Sequence, residues 1–161
     1  MRKKRVAIIK HLSMLQKLEL TLQEKGVRPT AMRLMVLDFL QGQSSAVNLN
    51  DLEAHFLRSD RITLYRTLKT FEDKGLVHSI EDGTGSTKYA LCEEGCACAP
   101  EDLHVHFSCS KCQETFCLPM SRIPKIPLPD NFTMEEASLV VKGLCGSCAT
   151  KNAMRLQGDE V

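Results

Sequence analysis

The sequence predicts an α+β fold in two parts: a helical first half, and a second half of short strands and cysteines. Three observations carry that prediction. Charge is split, since residues 1–88 hold 15 Lys/Arg and 10 Asp/Glu, a net of +5, and residues 89–161 hold 6 and 10, a net of −4. All eight cysteines lie between Cys92 and Cys148. Apolar residues recur at helical spacing as far as Gly75 and then give way to short strand-like runs.

The bulk properties narrow the classes. A chain of 161 residues fits one ordinary domain or two small ones. With 43% hydrophobic and 25% charged residues the composition is globular. No apolar run approaches the roughly 18 residues needed to span a bilayer. The basic start, Met1 to Arg5, lacks the apolar stretch and cleavage site of a signal peptide. A cytoplasmic protein with no membrane partner is expected. In a reducing cytosol, clustered cysteines point to metal binding or redox chemistry sooner than to disulfides.

Taken in order, Leu15, Leu18 and Leu22 predict a helix over 12–25 stopped by Gly26, with residues 1–11 a loose basic extension. Pro29 breaks the chain. Thr30 caps a helix from Ala31 to Gln41, whose expected core stripe is Leu34, Leu37 and Leu40, with Met35 and Phe39 beside it. Asn50 is the expected cap of a short helix to Leu57 that buries Leu52 and Phe56. After the tight connection 58–60, a helix spans 61–74 and ends at Gly75. Two strand-like runs, 76–80 and 87–91, flank the turn-rich stretch 82–86 and read as a hairpin. Three to four helices followed by a hairpin is the order of a winged helix-turn-helix. Residues 92–103 read as a linker. Further strands are expected at 105–108, 115–118 and 138–142, and four prolines in 119–129 rule out a long helix there.

Chemistry concentrates in three places. Cys109-Ser-Lys-Cys112 and Cys145-Gly-Ser-Cys148 are two knuckles separated by 32 residues. Together they complete a tetrahedral four-thiolate shell, which suits a structural Zn2+. His104 and His106 lie at i and i+2 of a strand, so their imidazoles share a face, whereas Cys109 points to the other. The partners available to them are His78, Cys92, Cys96, Cys98 and Cys117. Third, if Leu64, Leu68 and Phe71 face the core, the opposite face of the helix 61–74 presents Thr63, Arg66 and Thr70, with Tyr65 and Lys69 at its flanks. Arg and Tyr there suit base-edge and phosphate contacts in a major groove.

These residues resemble the ferric uptake regulator family of metal-dependent repressors over about residues 12–150. The matching pieces are Gly26-Val-Arg-Pro-Thr-Ala-Met-Arg33, Ile62-Thr-Leu-Tyr-Arg-Thr-Leu68, Gly75-Leu-Val-His78, His104-x-His106-x-x-Cys109-x-x-Cys112 and Cys145-x-x-Cys148. The resemblance implies a homodimer that binds a palindromic double-stranded operator when loaded with a metal corepressor. It divides the chain into a DNA-binding domain at 1–91, the linker 92–103, a small zinc-containing α/β dimerisation domain at 104–150 and a tail at 151–161. It places Arg28 near the minor groove and Tyr65 and Arg66 at recognition-helix contacts, and Arg33, in the same motif as Arg28, is also expected to bind DNA.

Departures bear on the metal. Iron-type members usually carry ligands where this chain has Ala46, Ala90 and Cys117, and a third site in some members uses a His where Ala137 stands. The zinc-sensing branch is nearer at His78 and Cys92. The expected regulatory set is therefore His78, Cys92, His104 and His106, with Cys117 as a further candidate. Zn2+ is favoured over Fe2+, because imidazole and thiolate together suit zinc. One rival within the family is a redox, peroxide or haem sensor using Cys92, Cys96, Cys98 and Cys117. A rival from another class is a thiol-disulfide enzyme, which needs a low-pKa thiol in an electropositive setting. Cysteines paired into knuckles in an acidic half argue against it. No catalytic constellation and no small organic substrate are expected.

Overall fold

The computed structural model describes residues 2–92, 104–134 and 137–151, with the backbone alone described for 2–11 and 122. Helix α1 spans Arg2–Glu24. It begins ten residues before the expected Leu12, in keeping with a stretch free of Gly and Pro. Gly26 closes it at φ 67°, with the Val27 N–H reaching back 2.8 Å to the Leu22 carbonyl. That six-to-one bond over a left-handed residue is a Schellman closure, which glycine makes without a Cβ clash.

Helix α2 (Ala31–Gln41) is capped by Thr30, whose side chain accepts from the Arg33 N–H. It buries Val36, Leu37 and Leu40. The expected stripe is thus rotated: Leu34 is only partly buried and Met35 is exposed. The two-residue strand β1 (Val47–Asn48) leads into α3 (Leu49–His55). The cap of α3 is Asn48 rather than Asn50. Its side chain accepts from the Asn50 and Asp51 N–H groups, and the Asp51 carboxylate accepts from the Asn48 N–H. This reciprocal capping box satisfies more orphan donors than Asn50 alone would.

Helix α4 (Arg61–Asp73) is capped by Asp60, and Gly75, at φ 62°, closes it as Gly26 closes α1. It buries Leu64, Thr67, Leu68 and Phe71 against Leu18, Leu22, Leu37 and Leu52, so one core joins the four helices. Strands β2 (Val77–Ile80) and β3 (Lys88–Leu91) form the wing hairpin, and β1 pairs with β3 to give the sheet order β1-β3-β2. The first half is the expected winged helix-turn-helix.

The second half is a sheet of order β5-β4-β6, built from β4 (His104–Cys109), β5 (Thr115–Arg122) and β6 (Val140–Gly143). β4 is central, antiparallel to β5 and parallel to β6. β5 runs four residues past the expected Leu118 and includes Pro119, which an edge strand tolerates. Residues 123–129 hold no helix, as the prolines predict, and one short helix follows at 146–151. Most of the predicted linker, with Cys96 and Cys98, and the tail after 151 lie outside the described residues. No helix among the described residues is long and apolar enough to cross a membrane.

The wing docks on this sheet through a buried polar contact. The Ala46 N–H donates to the Thr115 carbonyl at 2.7 Å, forming a bridge between the halves. Asp82, in the wing turn, pairs with Lys88 on β3 at 2.7 Å, and both are buried. The Lys88 ammonium also donates to the Gln113 carbonyl and, at 3.1 Å, to the Thr115 hydroxyl. That hydroxyl donates to Asp82 Oδ2 at 2.5 Å, and Thr84 covers Oδ1 through its N–H and hydroxyl. All three ammonium donors and both carboxylate oxygens are thus occupied, the condition for a buried ion pair to be tolerated. Burial opposes ionisation of Asp82, but the Lys88 ammonium and the Thr115 and Thr84 donors outweigh it and hold the carboxyl well below its ordinary range.

Candidate metal centres and nucleic-acid face

Two clusters of ligand-type side chains stand out among the described residues. The first is Cys109, Cys112, Cys145 and Cys148. Cys109 ends β4. The chain then turns back through Gln113, at φ 61°, with the Gln113 N–H on the Cys109 carbonyl. The Ser110 N–H donates to the Gly143 carbonyl at 2.8 Å and brings the end of β6, with Cys145 just beyond, against this turn. The Cys112 and Cys145 sulfurs are 3.8 Å apart. Four thiolates at 2.3 Å from a tetrahedral Zn2+ would lie about 3.8 Å from one another, so the shell fits that ion. Backbone N–H groups of Cys112 and Cys145 pull the Cys109 thiol down to about 6, whereas burial and the neighbouring sulfurs push Cys148 up and, against the Glu114 N–H, push Cys112 up to about 12.

The second cluster is His78, His104, His106 and Cys117, with donor atoms all within 4.8 Å of one another. His78 comes from β2 in the wing. The other three come from the second sheet, where antiparallel register sets His106 opposite Cys117. His78 Nε2 lies 3.1 Å from His106 Nε2 and 3.4 Å from Cys117 Sγ. In a tetrahedral zinc shell the nitrogen–nitrogen edge is about 3.3 Å and the nitrogen–sulfur edge about 3.6 Å, close to both distances. Two buried ring nitrogens, His104 Nε2 and His106 Nδ1, have no hydrogen-bond partner. Burial, reinforced by the neighbouring imidazoles, holds His78 and His106 down to about 4. They are therefore neutral near pH 7, the form whose lone pair binds a metal.

The expected regulatory set is thus brought together in four of its five members. The fifth, Cys92, stands at the opposite nitrogen of His78, its sulfur 3.6 Å from Nδ1. Cys109 belongs to the other cluster, as the alternation along β4 predicts. Ala46 and Ala90 offer no ligand; Ala46 makes the bridge to Thr115, and Ala90 lies opposite His78 in the hairpin.

On the candidate DNA face, Thr63, Tyr65 and Arg66 are exposed on α4 and Lys69 is half-buried beside them. The Thr63 hydroxyl donates to Asp60, and Lys69 pairs with Glu72 one turn on, so both are partly engaged within the helix. Arg28 is exposed. Arg33 donates from Nη1 to the Arg28 carbonyl at 2.8 Å and props the loop that carries it. The residues that sequence reasoning missed are Asp82, Lys88 and Thr115. No local signal marked them, since the strand alternation sets Tyr89 and Leu91 toward the core and Lys88 on the opposite face.

A winged helix-turn-helix joined to a sheet domain with two ligand clusters defines the class: a DNA-binding regulator with metal-type centres. A family profile described as the ferric uptake regulator family matches residues 24–139, and the chain belongs to that family. It is 27% identical over 136 residues to a ferric uptake regulation protein of Bordetella parapertussis, covering 79% of this chain and 93% of that protein. It is 25% identical over 139 residues to a peroxide operon regulator of Bacillus subtilis, covering 81% and 90%. Its fold matches that of a zinc uptake regulator solved with zinc and DNA, at a TM-score of 0.62 and 21% identity, over 88% of this chain and 97% of that one. Members of the family are metal-responsive transcription regulators, and fold and family agree with the sequence expectation.

Proposed function

We propose that this chain is a zinc-responsive repressor of metal-uptake genes, acting as a homodimer on a palindromic operator. Cys109, Cys112, Cys145 and Cys148 would hold one structural zinc per subunit. His78, His104, His106 and Cys117 would hold a second, regulatory ion. The observation that carries this reading is the composition of the second cluster among the described residues: three imidazoles and a thiolate, with no carboxylate. Such a set suits zinc better than ferrous iron, which is the second choice. A bound ion there supplies charge and fixed geometry across the junction. The chain's own residues do the rest. β2 carries His78 with the wing, β4 and β5 carry the other three, and fixing one against the others sets how α4 is presented.

Arg28, Arg33, Thr63, Tyr65, Arg66 and Lys69 form the proposed DNA face, with Tyr65 and Arg66 aimed at bases and Arg28 at the backbone or minor groove. Dimerisation is supported by the second sheet. Among the described residues nothing pairs with the outer edge of β6, and only the Ala46 bridge at Thr115 touches that of β5, while Leu139, Val141, Leu144 and Met120 are exposed along them. Open apolar edges are what a second copy covers. Nothing in this reading calls for catalysis or an organic substrate.

The test is metal content per chain, measured after zinc loading and after mild chelation, in wild type and in His104→Ala. Two ions in wild type, falling to one on chelation, with one in the variant throughout, is the expected pattern. Two chelation-resistant ions in His104→Ala would overturn the assignment. Loading with Fe2+ in competition decides the choice of ion. A peroxide-sensing reading draws on the Bacillus relative and on the two sulfurs, of Cys92 and Cys117, that flank His78. Operator release on oxidation of metal-loaded protein, with no response to zinc, would establish it instead.

A further inference from the structure

His78 is held from both sides by sulfur, and the two contacts differ in kind. Nε2 faces Cys117 Sγ at 3.4 Å and His106 Nε2 at 3.1 Å, inside the ligand cluster. Nδ1 faces Cys92 Sγ at 3.6 Å. The two nitrogens of an imidazole carry lone pairs that diverge across the ring. An ion on the Nε2 lone pair therefore lies on the side away from Cys92. The backbone keeps Cys92 there, because its N–H donates to the Leu76 carbonyl at 2.9 Å and ties it to the start of the wing hairpin.

We infer that Cys92 is a positioning residue for His78 and not a ligand: its sulfur accepts the Nδ1–H of His78 and keeps the Nε2 lone pair turned toward His104, His106 and Cys117. The inference rests on the proposed regulatory site and refines it to three imidazoles and one thiolate. A neutral imidazole carries a single N–H, and the partner of one nitrogen decides which nitrogen is free to bind. Ligating histidines regularly donate the other N–H to an acceptor, and losing that acceptor lowers metal affinity about 10- to 100-fold. The placement matters for coupling. His78 is the single contribution of the wing to the cluster, and Cys92 belongs to the wing as well. The wing therefore orients its own ligand before the second sheet engages it.

The test uses the full-length protein with zinc in the four-cysteine site and Co2+ added as the probe of the second site. Near-ultraviolet sulfur-to-cobalt charge-transfer absorption per Co2+ counts the thiolates bound. The expected result is a one-thiolate band in wild type. Cys117→Ser abolishes it. Cys92→Val keeps it but lowers Co2+ affinity about 10- to 100-fold. Cys92→Asn, which restores an acceptor for Nδ1–H, recovers most of that affinity. A two-thiolate band that halves in Cys92→Val would overturn the inference and leave the metal site standing. Wild-type Co2+ affinity in Cys92→Val, or failure of Cys92→Asn to recover any, would also overturn it. Wild type that takes up no Co2+ beyond the four-cysteine site would remove the regulatory site itself, and the inference with it.

Discussion

The wing meets the second sheet at two places, and the two are built on opposite terms. At Asp82, Lys88 and Thr115 every buried donor and acceptor has found a partner within the chain. At His78, His104, His106 and Cys117 the imidazoles crowd together, and two buried nitrogens have none. The first junction is complete without help and holds the wing turn against the second sheet. The second leaves buried lone pairs, that of His104 Nε2 among them, which a bound ion could share, and unpartnered buried polar groups cost free energy. A regulator needs both: one contact that keeps the wing in reach, and one whose strength depends on the signal. An ion held at the second would act by its differential affinity for the arrangement that brings His78 to the second sheet, as any ligand that shifts a population must.

The largest expected effect removes the frame that carries both junctions. Cys109→Ser or Cys145→Ser breaks the four-thiolate shell, and the binding energy of a structural zinc is comparable to the stability of a whole small domain. The second half is expected to unfold or the protein to become monomeric, as read by circular dichroism and sedimentation. A folded, zinc-free dimer would show that the frame stands without its metal.

The next effect isolates the complete junction. Lys88→Met strands the Asp82 carboxylate in a buried site and is expected to destabilise by roughly 3–5 kcal/mol. Adding Asp82→Asn should return a large part of that loss, which denaturant midpoints at constant m measure. A double variant no better than the single would mean that Lys88 acts through packing alone.

The same pair sets a pH dependence. The folded Asp82 carboxyl is held below its unfolded value of about 3.9, so the chain binds fewer protons there when folded. Its contribution is present above that unfolded value and is lost as pH falls through the lower folded one. Wild type should therefore lose stability more steeply than Asp82→Asn on acidification below about pH 4. Parallel acid limbs in urea titrations at several pH values would remove Asp82 from the account.

The smallest effect lies far from both junctions. Arg66→Ala should relax base preference and weaken specific operator binding by roughly 1–3 kcal/mol. Arg28→Ala should weaken binding evenly across sequences. Unchanged affinity in both would show that another face meets the DNA.

The difference between the junctions also marks how far the sequence could be read. The four-cysteine shell and the strand-mate histidines were legible because spacing alone places their side chains: two knuckles, and an i, i+2 pair. Cys117 was legible as a candidate, but its place in the cluster depends on β4/β5 register, with His106 opposite Cys117. The helices were found by their caps and periods. The misses were local competitions, with Val36 taking the core place expected of Leu34 and Asn48 taking the cap from Asn50. Asp82 read as an ordinary turn residue because its partner Thr115 is 33 residues away, and no local pattern announces a contact made by docking one half on the other. Cys92 was expected among the ligands because the zinc-sensing branch carries a Cys at that position; that it faces Nδ1 of His78 is a matter of ring orientation that spacing does not carry.

The account stands most directly on operator affinity measured against free zinc, in wild type and in His106→Ala, with the four-cysteine zinc in place in both and the Asp82–Lys88 pair untouched. It predicts that wild-type affinity rises with zinc, while the variant stays folded and dimeric and binds DNA weakly at every zinc level. A His106→Ala protein whose operator binding still climbs with zinc as wild type does would contradict it.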